Sequence, residues 1–208
     1  FHKDNIFNVG DTMLDVYLNH KPQIKKISKK KFKDLGKYIL VTIHRAENTM
    51  SEEILKNIYL NLELLSQNYK IIFPMHPRTE KILRNLKLYN YYKSTFNLIK
   101  PIGYIETMSL LEEASLLITD SGGMQKESFY CKVPCLTVRN QTEWPETVQS
   151  GWNRKTKIKN KLIYKNALKS ISSKGKKTKP YGSGNASLLI MKKIRYLYNK
   201  VKKYENSV

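Results

Sequence analysis

The run Leu117-Ile118-Thr119-Asp120-Ser121-Gly122-Gly123-Met124-Gln125-Lys126-Glu127 combines residue types that can hold an anion. An apolar strand stops at a polar pair and two glycines, and a helix is expected to start at once. Glycine has no Cβ, so the backbone there can turn sharply and approach a ligand closely. With Ser121 as cap, the free N–H groups of the new helix face outward at the positive end of its dipole. That is an anion site, fit for a phosphate or diphosphate. Glu127, one turn into the helix, can accept hydrogen bonds from both hydroxyls of a ribose. The run matches neither the P-loop pattern nor the dinucleotide fingerprint, and alone it reads equally well as an ordinary strand-to-helix turn.

Three further segments carry polar groups at the ends of apolar runs. Val41-Thr42-Ile43-His44-Arg45-Ala46-Glu47-Asn48 puts an imidazole, a guanidinium, a carboxylate and an amide just past a strand, where ligands of open α/β sheets gather. His44 could donate to a diphosphate oxygen and steady a departing anion, or His44 and Arg45 could simply cap loop carbonyls. Phe73-Pro74-Met75-His76-Pro77-Arg78 is again a strand ending in His, with Pro77 suited to the first helical position. A lone His in that setting is more often structural than catalytic. Arg139-Asn140-Gln141-Thr142-Glu143-Trp144-Pro145-Glu146 is a polar loop that either lines the same crevice or starts a helix at Thr142.

The elements that must position these groups alternate along the first 150 residues. Strands are expected at Tyr38–His44, Tyr69–Met75, Phe96–Pro101, Ser115–Thr119 and Pro134–Val138, each rich in Ile, Leu or Val. Helices are expected at Ser51–Gln67, Arg78–Tyr92, Thr107–Ala114 and Gly123–Cys131. Such alternation implies right-handed crossovers and a parallel sheet covered on both faces. Further on, Lys161–Ser170 reads as a short helix and Ile171–Gly184 as a loop. Asn185–Tyr204 reads as a long helix burying Leu188, Leu189, Ile190, Ile194, Leu197 and Val201.

The 208 residues suffice for a domain with a real core, and their longest apolar runs are too short to cross a bilayer. No metal site and no cofactor requirement are visible. Cys131 and Cys135 are expected to be free thiols, and with no signal peptide in view a reducing cytoplasm is the expected compartment. The chain opens at Phe1 with the extended-looking Asn5–Val9 and is expected to be a piece of something longer. The net charge of +21 invites a nucleic-acid reading, yet residues 1–153 carry 21 basic and 16 acidic groups. Residues 154–208 hold 17 basic groups and one acid, so the excess belongs to the tail.

Taken in order, the four segments resemble the UDP-N-acetylglucosamine 2-epimerase family. Its C-terminal half carries a His-Arg-x-Glu-Asn, a His-Pro, an Asp-Ser-Gly-Gly-x-Gln and a Thr-Glu-x-Pro-Glu segment. Here these are His44–Asn48, His76–Pro77, Asp120–Gln125 and Thr142–Glu146. Val9-Gly10-Asp11-Thr12 with Asp15 looks like the family's hinge, and Pro180-Tyr181-Gly182-Ser183-Gly184 like the segment before its final helix. The resemblance implies the C-terminal domain of a GT-B architecture: a Rossmann-like parallel sheet with helices on both faces. It also implies a hinge over residues 1–20, a UDP-binding domain over 21–184 and a basic helix over 185–208.

The implied reaction inverts C2 of a UDP-N-acetylhexosamine by expelling UDP from C1 and adding it back. His44 is then the catalytic residue at the diphosphate. Arg45, Glu47, Tyr104, Ser121, Gly122, Gly123 and Glu127 bind UDP or substrate. Arg45 and His76 match positions that hold a second, activating substrate molecule in regulated relatives, and Asp120, Gln125, Thr142 and Glu143 complete the cleft. The resemblance further implies a homodimer, and acidic catalytic residues that lie mostly in an N-terminal domain this chain lacks.

Some positions depart from the family pattern. Lys126 stands where many members have Glu and Trp144 where many have Arg, as in relatives acting on diacetamido uronic acids. Arg154-Lys155-Thr156 replaces a Leu-Val-Gly, and Ser183 a usual Asp. Two other classes compete: a GT-B glycosyltransferase, and a nucleic-acid or anionic-membrane module built on residues 154–208. The ordered His44 and Asp120 segments argue against the first, and the lack of any nucleic-acid signature against the second.

Overall fold

Residues 6–205 are described in a computed structural model. Six strands, β1 (Tyr38–Thr42), β2 (Lys70–Pro74), β3 (Asn97–Ile99), β4 (Leu116–Thr119), β5 (Cys135–Thr137) and β6 (Asn153–Lys155), form one sheet. All pairings are parallel, in the order β3-β2-β1-β4-β5-β6. The helices are α1 (Thr12–Ile27), α2 (Ala46–Thr49), α3 (Glu52–Ser66), α4 (Pro77–Asn85) and α5 (Tyr89–Thr95). They continue with α6 (Tyr104–Glu112), α7 (Gly122–Cys131), α8 (Pro145–Gln149), α9 (Leu162–Ile171) and α10 (Ala186–Glu205).

The strand alternation explains how both faces come to be covered. Ile39, Val41, Ile71, Phe73, Leu116, Ile118 and Leu136 share one face, where they pack with Leu55, Ile58 and Leu62 of α3 and Ile163 and Ala167 of α9. The opposite set, including Tyr38, Leu40, Ile72 and Leu117, is equally buried, and the Tyr38 hydroxyl donates to the Leu110 carbonyl of α6. Fully burying each such Leu or Ile contributes roughly 1.5–3 kcal/mol before entropy is charged against it. Sheet and helices therefore match the Rossmann-like expectation.

Three local expectations need correction. The helix expected over Arg78–Tyr92 is two helices. Lys87 takes φ 58°, Leu88 N–H donates to Leu83 O and Lys87 N–H to Arg84 O, which closes α4 without a glycine. Strand β6 was not expected, because Asn-Arg-Lys carries no apolar signal; it is an edge strand whose exposed cations face water. The apolar stripe of α10 is not buried: Leu188, Ile194 and Val201 are each more than half exposed.

The chain divides into two compact units, Phe1–Lys21 with Thr178–Val208, and Pro22–Lys177. In the smaller unit Asp15 accepts hydrogen bonds from Ala186 N–H at 3.0 Å and from Ser187 N–H and Oγ at 2.7 Å each. Those bonds, led by the Ser187 N–H, hold its carboxyl below the usual range and cap α10. Gly10, at φ 87°, lies against the Tyr181 carbonyl, so the Val9–Asp15 and Pro180–Gly184 segments meet. Within the larger unit lie all the site residues expected above.

Candidate nucleotide site

Strands β1 and β4 lie side by side where the strand order reverses, the place at which open α/β sheets form a crevice beyond their carboxyl ends. The loop after β1 carries His44 to Asn48, and the turn after β4 carries Asp120 to Gly123. Asp120 is fully buried, and its carboxylate ties the two together. It accepts from His44 N–H at 3.1 Å, Arg45 N–H at 2.9 Å and the Asn48 amide at 2.9 Å. The Asn48 amide also donates to Val138 O at 3.2 Å, reaching the end of β5. Beneath the clamp, Thr42 and Thr119 share a hydroxyl contact of 2.7 Å, and Thr119 accepts from Ser121 N–H at 3.0 Å.

Ser121 caps α7, as expected, by accepting from Met124 N–H. The first amides of α7 are thereby aimed out of the sheet edge, at the positive end of the helix. A Cβ placed on Gly122 would meet Glu143 Oε2 and Trp144 Nε1 at 3.4 Å each, so these two side chains roof the turn. Glu143 is held by both oxygens to Arg139 Nη1, at 2.8 and 2.9 Å, and that bond keeps its carboxyl below the usual range. Arg139 also donates to Glu47 at 3.2 Å, and Arg45 lies 3.8 Å from Glu143. Lys126, almost fully buried, places its ammonium 4.0 Å from the Trp144 ring.

Glu127 is itself only 8% exposed, and burial pushes its carboxyl up to about 7 against the pull of Lys126. Tyr104 shares that neighbourhood: burial first, then the charges of Glu127 and Cys131, push its hydroxyl up to about 12. His44 keeps 40% of its side chain exposed, with Nδ1 3.6 Å from Asp120, and its ring stacks on His76 at 5.6 Å. His76 in turn caps α4 through Nδ1, which accepts from Arg78 N–H. The structure thus gives His76 a structural task and a place beside His44 at once.

Asp120 and Gln125 do not line an open cleft. Both are fully buried, and each acts on loops instead. Gln125 Oε1 accepts from Thr142 and, at 3.1 Å, from Asn153, while Asn153 reaches Thr147 and Thr137. This network fixes the Thr142–Trp144 loop over α7, and Thr142 belongs to its frame. The helix here starts at Pro145, not at Thr142. Arg139 and Asn153 were missed as site residues. Arg139 stood in the quoted loop four residues before Glu143, a pairing without meaning until the loop's path is known. Neither Cys131 nor Cys135 is in a disulfide, and among the described residues no group of three His, Cys, Asp or Glu could hold a metal ion.

A parallel sheet in this order, with helices on both faces, is the Rossmann-like half of a GT-B architecture. The chain belongs to the UDP-N-acetylglucosamine 2-epimerase family, whose model matches residues 1–195. It is 45% identical over 201 residues to a UDP-N-acetylglucosamine 2-epimerase homolog of Methanococcus maripaludis, covering 92% of this chain and 55% of that protein. It is 37% identical over 187 residues to the UDP-2,3-diacetamido-2,3-dideoxy-D-glucuronate 2-epimerase of Pseudomonas aeruginosa, covering 88% and 50%. The solved Methanocaldococcus jannaschii UDP-GlcNAc 2-epimerase in complex with UDP-GlcNAc and UDP superposes with a TM-score of 0.85 at 34% identity, covering 94% and 56%. The chain spans about half the length of the relatives it matches.

Proposed function

We propose that this chain is the nucleotide-binding part of a UDP-N-acetylglucosamine 2-epimerase and that it grips UDP at Ser121–Gly123. The observation that carries the proposal is Asp120, which binds the His44 loop to the phosphate-ready turn through three donors. The α7 amides then meet the diphosphate, and Glu127 with Tyr104 faces the ribose. The exposed His44 ring donates to the diphosphate as it leaves C1 and meets it again as it re-adds to C1, while the proton lost from C2 returns there on the opposite face. His76, stacked on His44, and Arg45 are placed to meet a second substrate molecule. Family resemblance adds a homodimer and a cytoplasmic setting. No described helix is long and apolar enough to cross a membrane.

Isothermal calorimetry on the folded chain tests the grip: UDP releases heat and Ser121→Pro, which removes the cap and its N–H, abolishes it. Absence of heat at millimolar UDP sinks the proposal. A second reading, a UDP-diacetamido-uronate as substrate, is favoured by Lys126, whose buried ammonium stands beside the roof of the site. Tighter binding of that uronate than of UDP-N-acetylglucosamine, lost in Lys126→Met, would decide for it.

A further inference from the structure

A cavity of about 600 Å³ opens beyond the ends of β1, β5 and β6, on the flank of α3. Its floor is apolar, made by Ile54, Val138 and Ile158, and its rim carries Arg139, Lys157 and Lys159. Glu47 is the one carboxylate among its lining residues, and Arg139 already engages it at 3.2 Å. No ion pair engages Lys157 or Lys159 among the described residues. None of Ser121 to Glu127 lines this space, so it is separate from the α7 mouth. The two are nevertheless connected, because Asn48 and Arg139 belong to both. Asn48 bonds Asp120, and Arg139 holds Glu143 over Gly122.

We propose that this cavity is a second anion site, taking a phosphate monoester with a compact apolar body. The volume suits a small molecule, and the pairing of an apolar floor with a cationic rim selects one that is amphipathic and anionic. The phosphate lies between Lys157 and Lys159 within reach of the Arg139 guanidinium, and the body rests on Val138 and Ile54. Lys155, whose ammonium reaches the Asn140 carbonyl at 3.4 Å, steadies the loop that closes the near side. An occupant competes with Glu47 and Glu143 for Arg139, and so loosens the roof over Gly122. By linkage the two ligands then alter each other's affinity by one common factor.

Phenyl phosphate is the probe, titrated into the isotope-labelled chain and followed by amide chemical shifts with and without saturating UDP. Shifts should saturate at Asn140, Gln141, Lys157 and Lys159, and persist when UDP is bound. The double variant Lys157→Glu, Lys159→Glu removes exposed groups outside the α7 mouth. It should weaken phenyl phosphate about tenfold or more through lost charge-assisted contacts, with UDP affinity kept. Shifts confined to Ser121–Gly123 and erased by UDP overturn the proposal, as does wild-type affinity in the double variant. Saturation by a short oligonucleotide but not by phenyl phosphate also overturns it. UDP alone reports on the α7 mouth, so failure of the nucleotide assignment is read separately.

Discussion

Replacing Asp120 separates a structural clamp from a mere neighbour of the site. The carboxylate is buried and takes two backbone N–H groups and one side-chain amide, at 2.9 to 3.1 Å. Alanine leaves all three donors facing a void. At about 1–3 kcal/mol for each buried donor left unpaired, and with water relieving part of it, Asp120→Ala should cost about 3–5 kcal/mol. Asparagine behaves differently. Its carbonyl can take the place of Oδ2, which receives the three donors, and its NH₂ then lies where Oδ1 meets only His44. Asp120→Asn should therefore cost only about 1–2 kcal/mol, the difference between a charge-assisted and a neutral acceptor. Urea unfolding gives both values, and calorimetry follows UDP. Alanine should weaken UDP more than about tenfold, because both loops lose their reference point, and asparagine only a few-fold. If alanine proves as stable as asparagine, or binds UDP as tightly as the wild type, Asp120 is not what ties the loops.

Glu127 predicts a pH dependence with a definite sign. Its carboxyl titrates at 4.5 when unfolded and at about 7 when folded, so the native state holds a proton that the unfolded state has released. That contribution is complete below the unfolded value and fades as pH rises through the folded one, by up to roughly 3 kcal/mol across the window. Glu127→Gln should lack this decline between pH 4.5 and 7 in denaturant unfolding, and an identical slope refutes the assignment. Gly122→Ala meets only ordinary contacts at 3.4 Å, so stability should move by less than about 1 kcal/mol. Its methyl stands in the mouth, however, and UDP titration should show about tenfold weaker binding. Gly175→Ala drives a methyl into the Trp152 ring, displaces the indole from the Lys176 carbonyl and should cost about 1–3 kcal/mol, visible as altered Trp fluorescence and a lower midpoint.

Much of the fold could be read from the sequence because apolar runs over buried parallel strands are continuous. Tyr38–Thr42 and Leu116–Thr119 are such runs, and both lie where expected. What could not be read lacks that signal. Strand β6 is held by polar bonds rather than apolar burial, through Cys135 N–H to Trp152 O, Thr156 N–H to Thr137 O and the buried Asn153 side chain. The break after α4 rests on a lysine in a left-handed conformation, where a glycine would have announced it. For α10 the periodic stripe was real, but periodicity reports an amphipathic face and not what covers it. Motif order located the His44 and Ser121 segments, and the bonds among them needed coordinates. Asp120 and Gln125 are polar residues that sequence reasoning sends to a cleft, and Asn153 is one that it passes over. All three are buried, Asp120 against three donors, and Gln125 Oε1 and Asn153 within the network they share with Thr142, Thr147 and Thr137.

Adjacent parallel strands whose following helices leave to opposite faces open a crevice, and beyond the last backbone bond, Asp120 N–H to Thr42 O at 3.2 Å, their loops diverge. A side chain must join them, and Asp120, the first residue past β4, is short enough to stay buried while reaching back over β1. His44 is therefore fixed relative to the α7 amides before any ligand arrives. The roof is built otherwise. Glu143 and Glu47 are about half exposed and hang on Arg139 by ion pairs that solvent can reach. Salt weakens exposed pairs of this kind and leaves a buried, hydrogen-bonded carboxylate almost untouched. In the proposed UDP site, the exposed Glu47 and Glu143 carboxylates on Arg139 are therefore the groups expected to give way to an entering nucleotide, while the floor and the Thr142–Trp144 segment stay held by buried bonds.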